Sequence, residues 1–212
     1  MAGTKTNSRV RVVWTGIRAV LVLTVVCGIV YPLVVTGLAQ GIFHDKANGS
    51  IVKVDGKNVA SSLVGQYWGT AKTVKQNGEE VTVVTPNPKW FQPRPSTSNY
   101  DPAASGASNL ALSNPELTKT VEQRKADVAK FNGVSESAVP ADAVTASGSS
   151  LDPQISPAYA KLQIDRVARV NHLSATAVAK LVDAHVQGRT LGILGDPRVN
   201  VLELNLALAT MS

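Results

Sequence analysis

The chain has 212 residues, enough for one domain or for one domain with an anchor. Hydrophobic residues at 44% argue against global disorder, while aromatics at 5% and charged residues at 17% are sparse. The net charge of +6 is uneven: residues 1–18 hold Lys5, Arg9, Arg11 and Arg18 with no acid, whereas residues 45–212 hold 17 basic against 15 acidic side chains, so the excess gives no reason to expect nucleic-acid binding.

No Asp, Glu, Lys or Arg occurs in residues 19–43, a charge-free run of 25 residues. As a helix this run measures about 37 Å, enough to cross a hydrocarbon core of about 30 Å. A cleaved signal peptide would have a shorter apolar region ending in a small-residue site, and Leu38-Ala39-Gln40 is a poor one. The run is therefore read as a retained anchor. Basic residues stay on the cytoplasmic side, which predicts residues 1–18 inside, a transmembrane helix over 19–43, and a domain over 44–212 outside. Tyr31-Pro32 predicts a kink in that helix, since proline removes a backbone donor. Gly37-x-x-x-Gly41 and Thr24-x-x-x-Gly28 let a partner helix approach closely.

Beyond the helix, Ile51-Val52-Lys53-Val54 before Asp55-Gly56 predicts a hairpin, and Val81 to Val84 after Asn77-Gly78 predicts another short strand. Five prolines between Pro86 and Pro102 predict an irregular stretch, with two aromatics that look exposed. Residues 99–113 read as an ordered loop, because Tyr100, Leu110 and Leu112 interrupt the small polar residues. Asn114-Pro115-Glu116 opens a helix to Phe131. Ser156-Pro157 opens another to His172, with Ala160, Ile164, Val167 and Val170 on its apolar face and Lys161, Asp165, Arg166 and Arg169 off it. Ser174 caps a third to Val186, and an amphipathic segment runs from Val199 to Ala209. Strands followed by helices make the outer domain α+β.

Catalytic signals are scarce. His44, His172 and His185 are the three histidines, and the latter two fall at helix ends, where the dipole favours a cation. Cys27 is the single cysteine, so it has no partner for an internal disulfide or a Cys/His zinc cluster. No phosphate-cradling glycine motif, H-E-x-x-H or G-x-S-x-G is present. Ser147, Ser149 and Ser150 cluster beside Gly148 without a local base. The informative residues lie in polar words rich in proline and glycine. These are Ala47-Asn48-Gly49-Ser50, Gly65-Gln66, Arg94-Pro95-Ser96, Gly106-x-Ser108-Asn109-Leu110, Val144 to Ser149, Leu151-Asp152-Pro153-x-Ile155-Ser156, and Pro197-Arg198-Val199-Asn200 to Asn205. Such words order loops through side-chain-to-backbone bonds, and many ordered loops on one domain point to a fixed docking surface.

These words, in this order and spacing, resemble the C-subunit family of the Kdp potassium-transporting ATPase (KdpC). The resemblance runs from Tyr31-Pro32-Leu33-x-x-Thr36-Gly37 and Gln40 to Arg198-Val199-Asn200-Val201-Leu202-x-Leu204-Asn205. The family usually has Gly where Ser150 stands and His where Gln154 stands, which weakens any strict ligand role for that loop. Residues 69–89 look expanded, most simply as a surface-loop insertion. The resemblance implies a non-catalytic subunit of a bacterial plasma (inner) membrane complex, with a potassium-pore subunit, a P-type ATPase subunit and a small single-helix subunit as partners. It implies assembly and a catalytic-chaperone role that raises the ATP affinity of the ATPase subunit. ATP and potassium are used by the complex, and no cofactor is assigned to this chain. The positive-inside topology puts the outer domain across the membrane from ATP, so coupling through the pore subunit is physically easier. The residues expected to order loops or meet partners are Pro32, Gly37, Gly41, Asn48, Gln66, Arg94, Ser96, Asn109, Asp152, Arg198, Asn200 and Asn205. The alternative reading is a stand-alone anchored binding or enzymatic domain of the cell envelope.

Overall fold

A computed structural model describes residues 8–76 and 79–211. Lys5 and the Asn77-Gly78 turn lie outside the described residues. The chain is α+β and divides into two compact units, one up to Val59 and one from Ala60 onward.

The first unit is dominated by one apolar helix. It comprises α1 (Ser8–Val25), a π-helical turn (Val26–Val30) and α2 (Tyr31–Ile42). The stretch Arg9–Ile42 has 34 residues with a mean hydropathy of 2.5 in its most apolar window, and none of that window is buried in protein. It is long and apolar enough to cross a bilayer. The helix starts well before the charge-free run, since α1 takes in Arg9, Arg11 and Arg18. The expected disturbance at Pro32 takes the form of a wider turn just before it, where the Tyr31 N–H donates to the Val26 carbonyl five residues back. Phe43 (φ −128°, ψ 42°) ends the helix, and a single turn, α3 (His44–Ala47), follows. Asn48 ties this turn back to the helix. It exchanges side-chain amide bonds with Gln40 at 3.0 and 3.2 Å and donates to the His44 carbonyl at 2.7 Å.

Strands β1 (Ile51–Val54) and β2 (Lys57–Ser61) form the hairpin expected at Asp55-Gly56. Both turn residues have positive φ, 50° and 76°, as a two-residue turn that follows the strand twist requires.

In the second unit the expanded segment is an antiparallel ribbon and not a loop. Strands β3 (Gly69–Gln76) and β4 (Glu79–Pro86) pair from Gly69↔Pro86 to Gln76↔Glu79. The sequence reading covers only part of β4 and misses β3, whose Gly-Thr-Ala-Lys start lacks apolar alternation. Helix α4 (Pro115–Asn132) starts as expected: the Asn114 side chain accepts from the Glu116 N–H at 2.8 Å, and Gly133 at φ 71° stops it. The helix expected from Ser156 to His172 is broken at Gln163 into α5 (Pro157–Leu162) and α6 (Ile164–Val170). Helix α7 (Ala175–Ala184) is capped by Ser174. His185 follows it, with a ring nitrogen 2.8 Å from the Leu181 carbonyl.

Three short strands were not legible in the sequence. Strands β5 (Gln154–Ile155), β6 (Val186–Gln187) and β7 (Arg198–Asn200) form an antiparallel sheet with β7 central. Val199 pairs with both Ile155 and Val186. The expected final segment is therefore β7 running straight into α8 (Val201–Ala209). The core packs this sheet against α5 to α8 through Ile155, Tyr159, Val167, Val178, Val182, Val199, Leu204 and Leu208.

Candidate docking surface

The site rests on a buried strap, residues 87–92, framed by Pro86, Pro88 and Pro93. Proline prevents the strap from joining a sheet ladder, so its backbone groups need other partners. Side chains supply them. Asn205 on α8 accepts from the Phe91 N–H and donates to the Phe91 carbonyl, both at 2.9 Å. Gln163, at the break between α5 and α6, does the same for Gln92 at 2.7 and 3.1 Å. Asn171 donates to the Lys89 carbonyl at 2.8 Å. Gln92 donates to the carbonyls of Trp68, Asn87 and Trp90. Phe91 can thus sit fully buried, and Trp90 half-buried against Trp68, which corrects the expectation of exposed aromatics.

Arg166 completes the strap. It was expected off the apolar face but is 1% exposed. Its guanidinium donates to Pro88 and Trp90 carbonyls, to Asn132 and to Gln163, and stacks 4.5 Å from the Phe131 ring. No carboxylate is among these partners. Desolvation pushes its pKa down to about 10, so it stays a cation at neutral pH.

Above the strap the sequence words interlock. Ser150 has φ 60° and is fully buried. Its hydroxyl donates to the Gly106 carbonyl at 2.6 Å and accepts from the Thr97 N–H at 3.1 Å. Ser96 donates to the Ser150 carbonyl at 2.7 Å and accepts from the Tyr100 N–H at 2.9 Å. Tyr100 in turn donates to the Arg94 carbonyl at 2.8 Å and meets Tyr67 edge-on at 5.0 Å. Burial raises the hydroxyl pKa of Tyr67, Tyr100 and Tyr159. Residues 99–113 are ordered in part by this lattice, with Tyr100 buried, Leu110 half-buried and Leu112 exposed. Gly65 passes against the Tyr100 ring and lies where a Cβ would come within 2.8 Å of the Asp152 carbonyl, and its N–H donates to the Leu151 carbonyl. Gln66 beside it is half-buried.

Arg94 bridges two words. It pairs with Asp152 at 3.2 Å and donates twice to the Thr145 carbonyl. Asp152 also accepts from the Gln154 N–H. Arg94, Asp152 and Arg198 share an open cleft of about 400 Å³ with Asp142, Gln154 and Asp196. Asn200 is buried, capping α8 through Leu202 and Glu203 and donating to the Ser62 carbonyl at 2.8 Å. Asn109, at φ 53°, is exposed and bonds within its own loop to Ala107. Pro32, Gly37 and Gly41 lie on α2, where both glycine positions are open. The expected residues therefore fall into an apolar helix (Pro32, Gly37, Gly41), the turn after it (Asn48), a cleft (Arg94, Asp152, Arg198), two buried asparagines (Asn200, Asn205), and the loops outside that cleft (Gln66, Ser96, Asn109). Sequence reasoning missed Gln92, Gln163, Arg166 and Asn171. Their signal was a proline-framed strap with no strand partner, which demands amide side chains from elsewhere. Among the described residues, no group of three or more His, Cys, Asp or Glu is placed to hold a metal ion.

A family model described as "KdpC: K+-transporting ATPase, c chain" matches residues 13–210. The chain belongs to the KdpC family. It is 52% identical to a potassium-transporting ATPase KdpC subunit of Streptomyces avermitilis, over 93% of each chain. A Streptomyces coelicolor relative of the same description is 50% identical over 98% of this chain and 96% of its own. One from Caldanaerobacter subterraneus subsp. tengcongensis is 48% identical over 91% of each. In this KdpC chain, the position where the resemblance expects Gly is the left-handed Ser150. That backbone conformation suits glycine, and the serine compensates with its hydroxyl bonds.

Proposed function

We propose that this chain is a membrane-anchored, non-catalytic subunit of an ATP-driven potassium-import complex. It docks on a potassium-pore subunit and a P-type ATPase subunit, beside a small single-helix subunit, in a bacterial inner membrane. Its N-terminus is cytoplasmic and residues 44–212 are outside. The observation that carries this reading is an apolar helix followed by a domain whose polar words are used to fix its own loops. The names of the relatives support the complex, and the basic flank of α1 supports the orientation.

The chain raises the apparent ATP affinity of the ATPase subunit indirectly. An outer domain that binds one transport state of the pore subunit better than another shifts the equilibrium toward it. The cleft holding Arg94, Asp152 and Arg198 is the candidate contact. The test compares half-saturating ATP in oriented complex carrying wild-type chain or Arg198→Ala chain. A weakened ATP dependence with a folded variant supports the reading. Transfer of a photoreactive ATP analogue onto residues 45–212 refutes the indirect route.

A further inference from the structure

The π-helical turn in the apolar helix leaves a backbone acceptor without its donor. In an α-helix the Cys27 carbonyl takes a hydrogen bond from the N–H of Tyr31, and the Gly28 carbonyl from that of residue 32. Here the Tyr31 N–H is given to the Val26 carbonyl, and Pro32 has no N–H. The next donor available to Cys27 by π-helical spacing is again residue 32. Gly28 retains Leu33 as its nearest remaining donor; Cys27 retains none. Cys27 lies nine residues beyond Arg18 and sixteen before Phe43, about 13 and 24 Å along the helix, deep in the span. Hydrocarbon has neither water nor lipid donors at that depth, and an unsatisfied carbonyl there is costly.

The surroundings leave this acceptor approachable. Cys27 is exposed. A Cβ on Gly28 would meet only the Thr24 methyl, at 3.9 Å. We propose that the Cys27 carbonyl accepts a hydrogen bond from a hydroxyl, amide or indole N–H on a transmembrane helix of a partner subunit. Acyl chains carry no donor and water is excluded, so the occupant is a polar side chain brought by another helix. This inference rests on the docked-subunit reading above, and adds to it the atom at which the helices are joined. It also gives Pro32 a positioning role: the missing N–H keeps the acceptor free for the partner.

The sequence provides the probe, because Cys27 is the only cysteine. Full-length chain made with [1-13C]cysteine carries one labelled backbone carbonyl. Its 13C shift and isotope-shifted amide I band are recorded in lipid bilayers, alone and after assembly with unlabelled partner subunits. An unbonded carbonyl alone that becomes bonded on assembly is the expected result. A carbonyl already bonded in the isolated chain, or unchanged on assembly, overturns the proposal. Pro32→Ala returns an N–H within π-helical reach of the Cys27 carbonyl; with the acceptor competed for inside the chain, recovery of partner subunits falls about three- to tenfold. Recovery equal to wild type overturns the proposal while leaving the docked-subunit reading intact. A wild-type chain that recovers no partner overturns both.

Discussion

Asn205→Asp tests the strap most severely. The side chain is fully buried and satisfies both backbone groups of Phe91, one bond as acceptor and one as donor, each 2.9 Å. A neutral carboxylic acid of the same shape reproduces both bonds, but a carboxylate loses the donor and faces the Phe91 carbonyl with negative charge. Its folded pKa therefore rises above the unfolded value of about 3.9. Stability conferred by the acid is complete below that value and is lost as pH climbs through the raised folded pKa. Burial shifts of about 3 units are ordinary for such sites, at about 1.4 kcal/mol each, so the cost at pH 7.5 is about 4 kcal/mol. That corresponds to a melting temperature about 10 °C lower for a domain of this size. Asn205→Leu lacks both bonds at any pH and costs about 3 kcal/mol throughout. The assay is denaturation of full-length chain in detergent, followed by Trp68 and Trp90 fluorescence and referenced to wild type at each pH. The reasoning is refuted if Asn205→Asp is destabilised equally at pH 4 and pH 7.5, or at neither.

Gly65→Ala drives a methyl group into the Tyr100 ring and the Asp152 carbonyl, and is expected to cost about 2 kcal/mol in the same assay. Ser150→Ala keeps the left-handed backbone and loses the hydroxyl bonds, whereas Ser150→Gly loses the bonds but relieves the backbone; the glycine variant should be the more stable by about 1 kcal/mol. Alkaline pH should unfold the domain. Buried Tyr100 and Tyr159 hold their protons above pH 10 while the unfolded chain releases them, so each lowers stability by about 1.4 kcal/mol per pH unit there. Arg166 acts in the opposite direction, since its desolvated guanidinium gives up its proton more readily than the unfolded chain does, and it offsets part of that fall. A pH titration of the melting temperature checks this, and Tyr100→Phe should flatten the fall.

Local chemistry was legible where it is written in adjacent residues. The Asn114 cap, the Ser174 cap and the Asp55-Gly56 turn each depend on bonds within three positions, and each stands as expected. The order of the polar words also carried the family. What could not be read depends on pairing across long separations. Gln163 breaks a helix that its own periodicity would continue, because its amide serves Gln92, 71 residues away. Arg166 looks solvated by charge, yet its acceptors are strap carbonyls some 76 to 78 residues distant. Strands β5 to β7 are two or three residues long, too short for an alternating pattern. In the apolar helix the proline was visible, but whether the helix would kink or widen at Pro32 was not.

The central claim is that this chain works docked on membrane partners. Its most direct test is purification of C-terminally tagged chain from detergent-solubilised native membranes, followed by a potassium-stimulated ATPase assay. The account predicts recovery of a pore protein and a P-type ATPase with that activity. A chain recovered alone, folded and stable, contradicts it.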